Sequence, residues 1–195
     1  MNFRILIIIL ILALLCFNQQ ANAADKPSET QKQTTLDLYL TATEAYKMLN
    51  ENKGIIFIDV RTRAEVAFLG MAKGVDANIP YMTVGDWDEW DEKKHNFKLI
   101  PNSNFLPYFN DYISEHGFSK DSTIILICRS GNRSSGAINL LAQVGYKQVY
   151  SIIDGFEGNK PVDKNNPTNQ SFKGWKESNL PWSKKLDEEK MYMEF

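Results

Sequence analysis

Two unbroken apolar runs organise this chain. Ile55-Ile56-Phe57-Ile58 leads into Asp59-Val60, and Ile124-Ile125-Leu126-Ile127 leads into Cys128. Apolar runs of this length without polar alternation mark strands covered on both faces, as in a parallel sheet. Shorter apolar segments at residues 36–40, 75–79 and 149–153 read as further strands. Helical patterns separate them. Thr41 with Glu44, and Thr62 with Glu65, have the spacing of capping boxes, and predict one helix through Leu49 and another over 63–68. A third helix is expected over 105–116, with Asn104 or Ser103 as its cap and Gly117 as its stop. A fourth is expected over 134–144, where Ala137, Ile138, Leu141 and Val144 share one face and Gly145 follows. Strands alternating with helices define the fold class as α/β, with a mostly parallel sheet. Ligands of such sheets sit beyond the carboxyl ends of the strands, where Cys128 falls.

The remaining stretches are polar. Residues 24–35 hold Asp25, Lys26, Glu29 and Lys32 and read as a flexible lead-in. Residues 81–104, rich in Trp, Asp, Lys and Asn, read as an irregular insertion, long for a connection inside a compact domain. The domain is bounded at 36–183, and 184–195 reads as a solvated polar C-terminal tail. Residues 1–23 stand apart. Arg4 precedes an apolar run over 5–17, and Ala21-Asn22-Ala23 has the small-x-small form of a cleavage site. That pattern predicts a secretory signal peptide cut after Ala23, and a periplasmic or secreted protein. The apolar run is shorter than the ~20 residues of a spanning helix, so no membrane attachment is expected after cleavage.

Removing residues 1–23 from 195 leaves 172, enough for one well-buried domain. The formal net charge of −2 and the lack of any basic run argue against nucleic acid as a partner. Of two cysteines, Cys16 lies in the leader, so an exported domain would keep Cys128 alone. An unpaired thiol in an oxidising compartment is either buried and inert or in use. Its neighbours favour use. Cys128-Arg129-Ser130-Gly131-Asn132-Arg133-Ser134 puts two arginines and a flexible loop between a buried strand and a helix. Positive charge, free loop N–H groups and a helix N-terminus all favour a thiolate and receive a small anion. His95 and His116 are both distant in sequence, so an electropositive nest is a simpler activator than a Cys–His pair.

With that loop in place, the chain resembles the rhodanese family of sulfurtransferases. Asp59-Val60-Arg61 followed by Glu65 is similar to the family's first signature. Gly74 with Asn78-Ile79-Pro80 is similar to its middle one. Asp154-Gly155-Phe156-Glu157-Gly158, with Gly174-Trp175 and Leu180-Pro181-Trp182, is similar to its closing segment. The resemblance implies a single domain with a five-stranded parallel sheet between helices. It also implies that Cys128 is the catalytic nucleophile, taking the sulfane sulfur of thiosulfate as a persulfide and passing it to cyanide or a thiol. Arg129, Ser130, Gly131, Asn132, Arg133 and Ser134 would bind the anionic donor. Asp59, Arg61 and Glu65 would be structural near the site, Arg61 bridging carboxylates at the strand-to-helix junction. No cofactor and no metal are expected, and a protein acceptor is a further candidate partner.

Two alternatives remain open. The six residues from Cys128 to Arg133 inclusive favour sulfur transfer, since related dual-specificity phosphatases use one residue more. The other is a persulfide-carrying module of low turnover that acts with a partner protein, for which the insertion and the Trp-rich end offer docking sites. The chain also departs from the family pattern, with Gly70-Met71 where many relatives have Gly-His, and Asp154 where Gly is common.

Overall fold

The computed structural model describes residues 24–85, 89–158 and 173–193. The leader at 1–23, expected as a signal peptide, lies outside the described residues. Five strands form one parallel sheet: β1 (Tyr39–Leu40), β2 (Ile56–Asp59), β4 (Ala77–Asn78), β9 (Ile124–Ile127) and β10 (Val149–Ile152), in the order β1-β10-β9-β2-β4. Register pairs Ile56 with Ile124 and Asp59 with Ile127, so the two long apolar runs lie side by side at the centre. Every residue of β2 and β9 is buried.

Side chains alternate across that sheet although the sequence does not. Ile56, Ile58, Ile124 and Leu126 share one cluster with Cys128. It includes Phe105, Phe109 and Ile113 of α3 (Phe105–Glu115) and Ala137, Ile138 and Leu141 of α4 (Asn132–Gln143). Phe57, Ile125 and Ile127 point the other way, into a cluster with Ala42 and Ala45 of α1 (Ala42–Glu51), Val66 of α2 (Arg63–Leu69), Phe156 and Trp175. Two apolar faces explain why both central strands read as continuous runs. Both predicted capping boxes form, Thr41 with Glu44 and Thr62 with Glu65. Asn104 occupies the N-cap of α3, but its side chain makes no capping bond.

Three polar segments are more ordered than composition suggests. Residues 30–32 of the expected flexible lead-in form a 3-10 turn lying on α4. Ser135 donates to the Gln31 carbonyl at 2.7 Å, and Asn139 accepts from the Thr35 N–H at 2.8 Å. The expected irregular insertion is instead a two-stranded antiparallel ribbon. β5 (Met82–Val84) pairs with β8 (Leu99–Pro101), and β6 (Trp90–Asp91) pairs with β7 (Asn96–Phe97). Its apolar positions are few and far apart in sequence, so only cross-strand pairing shows the pattern. Trp90 and Phe97 meet edge to face, with centroids 5.4 Å apart, and both stay exposed; Trp87 falls outside the described residues.

The expected solvated tail returns to the sheet. Met191 bridges Asn78, the Tyr192 N–H donates to the Asn78 carbonyl, and Lys190 Nζ donates to the Val75 carbonyl at 2.9 Å. Tyr192 is buried against the Tyr108 ring. Earlier in this closing segment, β11 (Trp182–Ser183) pairs antiparallel with β3 (Met71–Ala72). No helix among the described residues is long and apolar enough to cross a membrane.

Candidate active site

The loop from Cys128 to Ser134 turns out of β9 at the carboxyl edge of the sheet and enters α4. Cys128 is 1% exposed. Its Sγ accepts the Gly131 N–H at 3.1 Å and lies 3.6 Å from the Ser134 hydroxyl. Ser134 Oγ donates to the Gly131 carbonyl at 2.9 Å and shares a 2.9 Å hydrogen bond with Ser151 Oγ on β10. The thiol therefore sits in a small polar knot wrapped by aliphatic side chains.

Two glycines make this turn feasible. Gly131, at the N-cap of α4, has φ +97°, and a Cβ there would stand 2.4 Å from the Ile153 carbonyl oxygen. Gly155 has φ +64° and would place a Cβ 2.6 Å from backbone atoms of Cys128 and Arg129. Both positions favour a residue without a side chain. The segment after β10 is stitched to the loop in turn: the Phe156 N–H donates to the Cys128 carbonyl at 2.8 Å and the Glu157 N–H to the Arg129 carbonyl at 3.0 Å.

The charged residues sort differently from the sequence-based expectation. Arg61 does not bridge carboxylates. It is fully buried on Asp59 alone, with Nη2 at 2.6 Å from Oδ2 and Nε at 3.0 and 3.1 Å from the two oxygens. Its Nη2 also donates to the Gly70 carbonyl, and its guanidinium lies 4.1 Å from the Phe156 ring centre. Glu65 pairs instead with Arg133, both guanidinium ends donating to its two oxygens at 2.5 Å. Burial works against the Glu65 carboxylate, but Arg133 and the Thr62 donors outweigh it and hold the carboxyl below its usual range. Arg129 is exposed, with Nε 4.0 Å from Glu157. Asn132 is exposed at the start of α4, while Ser130 and Arg133 are half-buried.

Sequence reasoning missed Ser151, the second hydroxyl of the knot. Its signal was a lone Ser in the apolar run at 149–153. Asp154, marked in the sequence only as a departure from the family pattern, is 3% exposed, and its Oδ1 accepts the Ala42 N–H at the start of α1. Burial, helped by the nearby Glu44 charge, pushes this carboxyl up to about 7 against the pull of its backbone donors and Lys32. Among the described residues no cluster of His, Cys, Asp and Glu side chains is arranged to hold a metal ion.

A parallel α/β sheet with one buried cysteine in a glycine-hinged, arginine-flanked loop at its carboxyl edge defines a class of small α/β domains centred on a single thiol. The chain belongs to the rhodanese-like domain family, whose model matches residues 41–160. It is 36% identical over 144 residues to an uncharacterized protein of Rickettsia prowazekii, covering 73% of this chain and 94% of that one. Over a shorter stretch of 53 residues it is 42% identical to a thiosulfate sulfurtransferase of Tolumonas auensis, covering 27% of this chain and 45% of that protein. Among solved structures, a protein of M. tuberculosis is similar with a TM-score of 0.53 and 27% identity, over 75% of this chain and 97% of that one. Family membership supports a function of the sulfurtransferase type.

Proposed function

We propose that the chain moves sulfane sulfur through a persulfide on Cys128, from thiosulfate or a related persulfide donor to cyanide or a thiol. The observation that carries this reading is the Cys128 sulfur held at the carboxyl edge of the sheet by the Gly131 N–H, at the N-terminus of α4. In the first step the thiolate attacks the outer sulfur of thiosulfate. A sulfur–sulfur bond forms to Cys128, the bond to the sulfonate sulfur breaks, and the electron pair leaves with sulfite. Loop amides and the α4 N-terminus stabilise the charge that moves. An acceptor thiolate or cyanide then takes the outer sulfur and restores the Cys128 thiolate. Arg129, Ser130, Asn132 and Ser134 line the approach or shape the loop. The sequence of residues 1–23 supports export, with the reaction taking place outside the cytoplasm.

The test is direct. Purified protein should form thiocyanate from a sulfane donor and cyanide with ping-pong kinetics, and should gain the mass of one sulfur on Cys128. Cys128→Ser should abolish both. Turnover that survives this substitution would overturn the assignment of the nucleophile. The exposed apolar ribbon, with Val84, Trp90, Phe97 and Leu99 all open to solvent, favours one second reading. In it the domain is a persulfide carrier whose turnover depends on a protein acceptor, and cyanide would then be a poor substitute for that acceptor.

A further inference from the structure

Three arginines at or beside the Cys128 loop have a carboxylate partner. Arg61 is buried on Asp59, Arg133 is clamped by Glu65, and Arg129 faces Glu157 at 4.0 Å. The loop is rich in arginine, yet its enclosed member, Arg133, is matched by a carboxylate, whereas the exposed Arg129–Glu157 contact is weak. Beside these charges the loop offers two dipolar donors, the Gly131 N–H on the sulfur and the N-terminus of α4.

Glu65 is the decisive member of this set. Its partner Arg133 is the loop arginine held close in, with a side chain 13% exposed against 59% for Arg129. Its guanidinium lies within electrostatic reach of Cys128. Both Nη atoms are committed to Glu65, which is also fixed from behind: its Oε2 accepts the Thr62 N–H and hydroxyl. The carboxylate therefore cannot swing aside without breaking the capping box of α2. An incoming anion meets an ion pair of no net charge, so Arg133 withholds the extra attraction, about twofold, that an unpaired arginine would give a dianion over a monoanion.

We infer that Glu65 is a specificity-determining residue that sets the charge of the sulfur donor, matching the Cys128 loop to a monoanionic alkyl persulfide over dianionic thiosulfate. This rests on the sulfur-transfer reading of Cys128. The persulfide step balances without a further reactant. The Cys128 thiolate bonds to the terminal sulfur of the donor, the donor's sulfur–sulfur bond breaks, and the electron pair leaves as the donor's thiolate.

The experiment compares wild type with Glu65→Gln, which keeps an oxygen to accept from Thr62 and from one arm of Arg133. Rates of Cys128 loading are read by mass spectrometry with thiosulfate and with 2-hydroxyethyl persulfide. Wild type should favour the persulfide. Glu65→Gln should raise the thiosulfate-to-persulfide ratio of kcat/KM about tenfold, through the KM of thiosulfate, and make that reaction more sensitive to salt. Glu65→Asp should keep the wild-type preference, and Glu157→Gln, at the exposed pair, should shift the ratio by less than about twofold. A ratio unmoved by Glu65→Gln, with both donors slowed together, would show that Glu65 only holds the loop in place. A second measurement is independent of turnover: thiosulfate titrated onto Cys128→Ser should bind about tenfold tighter when Glu65→Gln is added. Unchanged binding overturns the inference. If neither donor loads Cys128, the sulfur-transfer reading fails, while the titration still decides the charge effect.

Discussion

Replacing Arg61 by Met should destabilise the protein more than most other single substitutions, because it strands a buried carboxylate. Both members of the Asp59–Arg61 pair are wholly inaccessible to solvent. The substitution removes three contacts to Asp59, at 2.6, 3.0 and 3.1 Å, together with the 2.9 Å bond to Gly70 and the stacking on Phe156. Among the described residues, the Asp59 carboxylate would keep only the hydrogen bond from the Arg61 backbone N–H at 3.0 Å. Breaking a buried pair from one side costs about 3–5 kcal/mol, whereas replacing both partners by apolar groups of similar volume is often close to neutral. At about 2–4 °C per kcal/mol for a domain of this size, Arg61→Met should lower Tm by roughly 6–20 °C. The double variant Asp59→Leu/Arg61→Met should recover most of that loss. Urea unfolding of the wild type, both single variants and the double variant measures the coupling. A loss below about 1 kcal/mol for Arg61→Met, or a double variant no better than the singles, would refute the view that the penalty is an unpaired buried charge. Because Phe156 donates to the Cys128 carbonyl, Arg61→Met should also loosen the loop and slow loading of Cys128 well below its melting point.

Two further outcomes rest on Asp154 and Gly131. Asp154, with its carboxyl pushed up to about 7, binds a proton more tightly in the folded state than in the unfolded chain. Its contribution is therefore complete below the ordinary value near 3.8 and is lost as pH rises through about 7. Wild type should lose about 2 kcal/mol between pH 5 and pH 8, and Asp154→Asn, whose amide oxygen can still accept from Ala42, should flatten that slope; parallel denaturation curves at the two pH values for both proteins would contradict this. Glu65, held below its usual range, acts in the opposite sense, and only as pH falls below about 4.5. Gly131→Ala places a methyl group 2.4 Å from the Ile153 carbonyl at φ +97°, so it should cost about 2 kcal/mol or more and reduce Cys128 loading at least tenfold; near-normal loading would mean that the loop does not depend on that close approach.

Much of this protein could be read along the chain, and the reasons are local. Capping boxes are written within four residues, so Thr41 with Glu44 and Thr62 with Glu65 announced two helices correctly. The two apolar runs announced the central strands because burial on both faces removes any polar alternation. The Cys-to-Ser loop stood out because its residues fit neither a core nor an ordinary turn. The ribbon at 82–101 escaped because pairing of Val84 with Leu99 leaves no local period. The closing segment escaped for a related reason: Tyr192 is buried only because Tyr108 and the Asn78 carbonyl receive it.

The sequence by itself determined the α/β class, the order of the sheet strands and main helices and the placing of one thiol at the end of a buried strand. Each of these depends on propensities and spacings within a few residues. Only the tertiary structure decided which charges meet. Glu65 and Arg133 are 68 positions apart and form the tightest pair at the loop, while Arg61, beside Glu65 in the chain, turns inward to Asp59. Ion pairs form between side chains brought close by packing, and that proximity is a property of the folded sheet and its helices, which no local pattern encodes.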